Sequence, residues 1–303
     1  MKKIFIIGKD RSGTKWLSNI IANHDKIACV QRPGAGGILE TNIIYRMPNI
    51  FGDLKKENNF IGFIELFSKT NFFKLLDIKK EKLYKAPKNY LDFLDYILTI
   101  YAKNKNKSFW LQKTSTIKLN RIYKKFPSAK FVIIERNPID NIRSTIGLKV
   151  RKKIKANNEF NQYKKNIIKE LVKYLLAEKR INKLRNKNNI KHVYFEDLKN
   201  SKENTIRDIC KFLKINFNKN LLKDHYKKNT SFNGVISKRN VINKRDILLI
   251  KSLYPIMRKL PLFLFEKLHK INTIFRDSFI KERFIPGTFE FFKKELMKNN
   301  LID

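Results

Sequence analysis

The chain is poor in the groups that most often hold a metal or a covalent framework. Its 303 residues include two cysteines, Cys29 and Cys210, and four histidines, His24, His192, His225 and His269. The histidines are scattered, and no His/Cys/Asp/Glu grouping has ligand spacing, so no metal is expected. Both cysteines lie in apolar contexts, which reads as reduced core residues rather than a disulfide and fits a cytoplasmic protein. Long apolar runs are missing too, since no stretch reaches the roughly 18 residues needed to span a bilayer. Met1-Lys2-Lys3 gives a basic start, but the apolar run behind it is too short for a secretory leader and feeds straight into a loop. Acid is scarce. Against 67 Lys and Arg stand 27 Asp and Glu, a formal net charge of +40. Lysine on solvated faces explains part of this. The remaining surplus suits a polyanionic small molecule, an anionic glycan or an acidic membrane face. No zinc finger, RNA-recognition motif or helix-turn-helix accompanies the charge, so no specific nucleic-acid partner is expected.

What is present is concentrated at two strand ends. Ile4, Phe5, Ile6 and Ile7 form a continuous, largely β-branched run, the pattern of a buried parallel strand. Gly8 and Gly13 bracket a tight turn, and Trp16-Leu17-Ser18-Asn19-Ile20-Ile21 opens a helix of apolar period near 3.6. This order aims the backbone N–H groups of Ser12, Gly13 and Thr14 at one point beside a helix N-terminus, where a phosphate is favoured. Arg11 adds a rigid positive fork for a second, bridging anionic group. Gly8 and Gly13 have the spacing of the nucleotide triphosphate loop G-x-x-x-x-G-K-[ST]. Thr14-Lys15 comes in reverse order, however, which displaces the hydroxyl that would hold Mg²⁺.

A second anion site is read at residues 131 to 144. Phe131, Val132, Ile133 and Ile134 form another buried strand, and Pro138 suits the first turn of the helix that follows. Arg136 therefore lies at the carboxyl end of a strand, the edge where open α/β sheets bind ligands. Ser144, two helical turns on, can share an anion with it. The motif R-S-G-T-x-W-L after the first strand, joined to R-N-P-x-D-x-x-x-S after the later one, resembles the sulfotransferase family. Trp110-Leu111-Gln112-Lys113-Thr114 resembles the family's strand ending in Lys-Thr. Val193-Tyr194-Phe195-Glu196-Asp197-Leu198, with Ile209-Cys210-Lys211-Phe212-Leu213 behind it, resembles its Tyr-Glu-Asp-Leu and Phe-Leu stretches. These landmarks run from residue 4 to 213 in the family's order.

The resemblance implies a co-substrate, 3′-phosphoadenosine 5′-phosphosulfate (PAPS), and no metal. It implies that Arg11, Ser12, Gly13 and Thr14 hold the 5′-phosphosulfate, that Arg136 and Ser144 hold the 3′-phosphate, and that Trp16 belongs to the same pocket. Lys113 resembles the lysine that neutralises the moving sulfuryl group. Lys238 and Arg239, in a late basic loop, are further candidates for the 3′-phosphate. Three positions depart from the family pattern. Lys15 replaces a second Thr and either reaches the phosphosulfate or points outward. Phe195 replaces a Tyr and retains only a stacking role toward adenine. Ser115 stands where the small-molecule branch carries a catalytic His, and an unactivated serine takes no proton at neutral pH. Glu40, in Gly37-Ile38-Leu39-Glu40-Thr41, is the candidate base, because the tyrosylprotein and glycan branches carry a functional Glu in a comparable stretch. A surface carboxylate capping the next helix is an equal reading of it.

The expected architecture is one α/β domain over residues 1 to 303, with a P-loop-like, mostly parallel central sheet and helices on both faces. Strands are expected at 3–8, 27–30, 108–112, 130–135 and 191–195. Residues 41 to 107 read as a helical insertion on the acceptor side, 159 to 187 as an amphipathic helix, and 246 to 303 as a C-terminal helical extension. That extension mixes Phe, Leu and Ile with Lys and Arg. It is compatible with packing on the main domain, with a partner subunit, or with peripheral association at the inner membrane face. The expected activity is sulfuryl transfer to a hydroxyl of a small-molecule, carbohydrate or glycan acceptor. The alternatives are an atypical nucleotide kinase and a non-catalytic basic protein binding nucleic acid or anionic lipid. Oligomeric state is not legible.

Overall fold

The apolar runs of the sequence become strands buried on both faces. The computed structural model describes residues 1–32, 37–41, 43–157, 166–223 and 241–267. β1 (Lys2–Gly8) leads through the glycine loop into α1 (Thr14–Ala22), followed by β2 (Ile27–Ala28), β3 (Gln31–Arg32) and β4 (Gly37–Ile38). Five helices come next: α2 (Met47–Phe51), α3 (Glu57–Ser68), α4 (Asn71–Lys74), α5 (Glu81–Tyr84) and α6 (Tyr90–Asn104). Then β5 (Phe109–Ser115), α7 (Leu119–Lys125), β6 (Lys130–Glu135), α8 (Pro138–Asn157), α9 (Ile167–Asn182) and β7 (Ile190–Tyr194) alternate. α10 (Phe195–Asn200), α11 (Lys202–Leu213) and α12 (Lys244–Lys259) follow, and residues 262–267 form a further helical turn at the end of the described chain.

Five strands make one parallel sheet in the order β2-β5-β1-β6-β7. β1 is central, with Gly8 opposite Ser115 of β5 on one side and Ile134 of β6 on the other. Alternate side chains of β1 enter different cores, as a two-faced strand requires. Phe5 and Ile7 pack with Trp110, Phe131 and the helices α2 to α6. Ile4 and Ile6 pack with α1 and α11 through Leu17, Ile20, Ile206 and Ile209. Phe5 meets Trp110 edge-on and stacks on Phe131, with centroids 5.2 and 5.4 Å away. A third core joins α8, α9 and α12 through Ile142, Leu171, Leu175 and Ile250. The α/β class with helices on both faces is thus present.

Several boundaries differ from the sequence expectation. β2 is two residues long, because Cys29 and Val30 leave the sheet toward a small antiparallel pair, β3 with β4, that no apolar run announces. β5 continues through Lys113 and Thr114 to Ser115, carried on by full pairing with β1. The helix expected over 159 to 187 occupies Ile167–Asn182 and starts at Asn166, whose side chain accepts from the Lys169 amide. Residues 224–240, which include Lys238 and Arg239, lie outside the described residues, as does 268–303 of the expected extension. Cys29 and Cys210 are free and buried. Burial raises both thiol pKa values, that of Cys210 to about 11.

Candidate functional site

The loop after β1 is shaped by two glycines with different duties. Gly13 has φ of +93°, the left-handed region that a side chain makes costly, and it stands at the N-cap of α1. Gly8 is a packing requirement: a Cβ there would lie 2.5 Å from the Ile134 carbonyl oxygen of β6. Arg11 also takes positive φ, 69°, a strained backbone for a residue with a side chain. Ser12 donates its amide to the Lys9 carbonyl at 3.0 Å, so this N–H is used inside the turn rather than aimed outward. The amides of Gly13 and Thr14 have no backbone acceptor among the described residues, and no side chain caps α1. The helix therefore presents its first donors, and its positive dipole end, at the loop.

α8 holds that loop from the other side. Asn141, fully buried, donates at 2.9 Å both to the Asp10 carbonyl and to Ser12 Oγ. Ser12 is accordingly a buried lock of the loop. Arg136, just past β6, donates from Nη1 to the Arg11 carbonyl at 3.0 Å. Arg11 in turn donates from Nε to Ser144 Oγ at 3.2 Å. Arg11, Arg136 and Ser144 thus form one chain of contacts, with Arg11 on the Ser144 side. Arg136 Nε is buried without a hydrogen-bond partner, and burial lowers the guanidinium's pKa. Its backbone is fixed by Tyr174 of α9, whose hydroxyl donates to the Arg136 carbonyl at 2.7 Å. A buried cation with an orphaned donor beside a second arginine is a ready receptor for a dianion.

Phe195 lids this corner. Its ring lies 4.2 Å from the Arg136 guanidinium and meets Trp16 edge-on at 5.8 Å. A Cβ on Gly13 would come within 2.6 Å of Phe195 Cδ2, so the ring rests directly on the loop. Trp16, Phe195 and the two arginines therefore share one surface, and a planar aromatic group would have two rings to meet there.

Across β1, the end of β5 supplies the opposite wall. Lys113 Nζ pairs with the Glu40 carboxylate, the lysine side chain 14% and the glutamate 52% exposed. Burial is the strongest influence on Lys113 and lowers its pKa to about 8, with Lys15 and Arg11 acting the same way and Asp10 against them. The Glu40 carboxylate in contact with Nζ favours the ammonium. Lys15 has its own pKa lowered by burial and then by Arg32. Thr14 is buried at the loop. Ser115 Oγ accepts from the Ile117 amide at 3.3 Å, an ordinary turn bond.

Three residues that sequence reasoning did not single out position these groups. Tyr45 closes on the end of β5: its hydroxyl contacts Thr114 Oγ1, accepts from the Ser115 amide at 2.8 Å and donates to the Ser115 carbonyl at 3.1 Å. Burial holds that phenol at a pKa of about 12. Asn19 of α1 accepts from the Ile38 amide at 2.8 Å and abuts Gly37, whose φ is +65°. This anchors β4, and with it Glu40, against α1. Asn141 is the third. The only sequence signal for any of them is a polar residue inside an apolar helical or turn segment. Among the described residues there is no group of three or more His, Cys, Asp or Glu able to hold a metal ion.

The family model described as “Sulfotransferase family” matches residues 3–219. No curated protein matches the chain significantly. Similar solved structures include the sulfotransferase domain of an olefin synthase from Synechococcus PCC 7002, 14% identical, with TM-score 0.49 over 100% of this chain and 95% of that one. A mouse sulfotransferase complexed with PAP is 13% identical, with TM-score 0.47 over 89% of this chain and 88% of that one. A sulfotransferase from Alicyclobacillus acidocaldarius is also 13% identical, with TM-score 0.45 over 88% and 99%.

Proposed function

The chain belongs to the sulfotransferase family, and from that premise we propose that it moves a sulfuryl group from PAPS to a hydroxyl of a carbohydrate or glycan-type acceptor. The observation that carries this reading is the division of the site by β1. Arg11, Arg136 and Ser144 meet on one side and the Lys113–Glu40 pair on the other. A donor with a phosphate at one end and a phosphosulfate at the other needs two such places. The first holds the 3′-phosphate, with Arg11 bridging toward the 5′ end. The amides of Gly13 and Thr14, the N-terminus of α1 and Lys15 receive the phosphosulfate. Trp16 and Phe195 flank the adenine.

The reaction is an in-line displacement. The acceptor oxygen forms a bond to sulfur as the bond from sulfur to the 5′-phosphate oxygen breaks, and the nucleotide leaves as its 3′,5′-bisphosphate. Negative charge grows on that leaving phosphate, where the Lys113 ammonium and Arg11 are already fixed. Preorganised cations lower such barriers because nothing has to reorganise as charge moves. Glu40 takes the acceptor's proton. Its half-exposed carboxylate lies at the start of residues 41 to 107, and their helices α2 to α6 form the acceptor side. The basic surplus of the chain suits an acceptor that already carries negative charge.

Calorimetric titration with 3′-phosphoadenosine 5′-phosphate, set against ATP with Mg²⁺, tests the donor assignment. Tight, metal-independent binding of the bisphosphate is expected, and Arg136→Ala should weaken it by about 10²-fold. A preference for ATP with Mg²⁺ would turn the reading to a nucleotide kinase. For the base, Glu40→Gln should lower kcat by about 10²–10⁴-fold with bisphosphate affinity nearly unchanged. An unaltered kcat in that variant would move the base elsewhere.

A further inference from the structure

We propose that the outer face of α12, with the turn that follows it, docks on an anionic lipid bilayer. α12 is fixed from within: Ile250 is buried in the third core, and Ile247, Leu253, Tyr254 and Met257 pack against it. Tyr254 donates to Glu178 of α9 at 2.7 Å. Among the described residues the opposite face is exposed. Leu248 is 66%, Ile256 64% and Phe263 63% exposed, with Leu249 and Leu260 beside them. Leu248, Pro255, Ile256 and Lys259 recur at i, i+7, i+8 and i+11, one stripe of a helix. Lys244, Arg245, Lys251 and Lys259 are exposed around them. From Ile247 to Phe265 the sequence holds Lys251, Arg258 and Lys259 and no carboxylate.

This mixture identifies the occupant. Apolar side chains set among cations fit a surface with phosphate headgroups over an acyl layer, in which both kinds of group find partners. A nucleic acid would satisfy the cations but leave Leu248, Ile256 and Phe263 without a role. A second copy would bring two predominantly basic faces together, with Glu266 the exposed carboxylate beside each. Among the described residues no helix is long and apolar enough to cross a membrane, so the contact is one of lying on the bilayer. The proposal does not depend on the identity of donor or acceptor.

The test uses the full chain and co-sedimentation with vesicles of phosphatidylglycerol and phosphatidylcholine, against phosphatidylcholine alone, at about 0.15 M salt. The wild type should bind the anionic vesicles. Leu248→Ser combined with Ile256→Ser, which leaves the net charge at +40, should bind them about tenfold or more weakly, with unchanged melting and bisphosphate affinity. Equal binding by wild type and variant would show that net charge alone is responsible and would overturn the proposal. So would equal binding to neutral vesicles, or a wild-type dimer in light scattering that the double substitution dissociates. Leu248→Cys gives a second check, because Cys29 and Cys210 are both buried. Its maleimide labelling should be fast in solution and protected by anionic vesicles. Slow labelling without vesicles would mean that another part of the chain covers this face.

Discussion

Lys113→Met is expected to lower kcat by about 10²–10³-fold in a protein that still folds and binds the bisphosphate. The side chain ends against Glu40 at the mouth of the site rather than in a core, so its removal leaves no cavity among apolar groups. In the proposed mechanism its value is that of a charge held in place before the reaction, out of bulk water. That same burial gives the lysine a distinctive pH signature. Its pKa is lowered to about 8 by burial, so the ammonium that the proposed mechanism uses is complete below that value and is lost as pH rises through it. Turnover should therefore fall on the alkaline side, near pH 8 or somewhat above because Glu40 favours the charged form. Lys113→Arg keeps a cation that does not titrate in this range. It should remove the alkaline limb even where its peak rate is lower. A limb that persists unchanged in Lys113→Arg would assign the titration to another group.

The second large effect is on stability and concerns the loop's glycines. Gly8→Ala places a Cβ 2.5 Å from the Ile134 carbonyl oxygen and 2.7 Å from Thr14 Cγ2, so β1 and β6 must separate and the Thr14 side chain must also give way. The first of these atoms is backbone of a central strand and has little freedom. A cost of roughly 3 kcal/mol is expected, at the upper end of overpacking substitutions. For a chain of 303 residues that corresponds to a drop of roughly 5 °C in melting temperature. Gly13→Ala is the informative contrast. It too is strained, by its φ of +93°, by about 1–2 kcal/mol. Its new methyl, however, meets the ring of Phe195 rather than backbone. It should melt closer to the wild type while losing bisphosphate affinity, because Phe195 and the loop must part. Equal melting of the two variants would contradict the packing role given to Gly8.

The parts of this architecture that could be read in advance are those with local causes. Ile4 to Ile7 and Phe131 to Ile134 are continuous apolar runs, and a strand buried on both faces needs nothing more to be recognised. Gly8 and Gly13 mark the loop because only glycine meets both the close approach and the positive φ. The pair β3 and β4 escaped notice because two-residue strands carry no periodicity. Asn19, Tyr45 and Asn141 escaped for a different reason. Their partners lie 19, 70 and 131 residues away in sequence, so each is an unremarkable polar residue until the chain folds. Ser12 differs from its reading in part: its amide donates to the Lys9 carbonyl inside the turn, while its hydroxyl, which accepts from Asn141 of α8, keeps its own proton to donate.

The strand order of the sheet has one more consequence. β5 and β6 are not neighbours but flank β1, so the strand ends from which Lys113 and Arg136 extend are two strand spacings apart, about 10 Å. The sheet thereby acts as a ruler, and its two marks are fixed by backbone hydrogen bonds rather than by adaptable side chains. On the proposed assignment, a nucleotide without the 3′-phosphate leaves the buried Arg136, whose Nε has no partner, uncompensated, whereas Lys113 keeps Glu40. If the donor binds as proposed, discrimination between the bisphosphate and a 5′-monophosphate is set by the spacing of the sheet itself. No surface substitution away from β1, β5 and β6 should relax it.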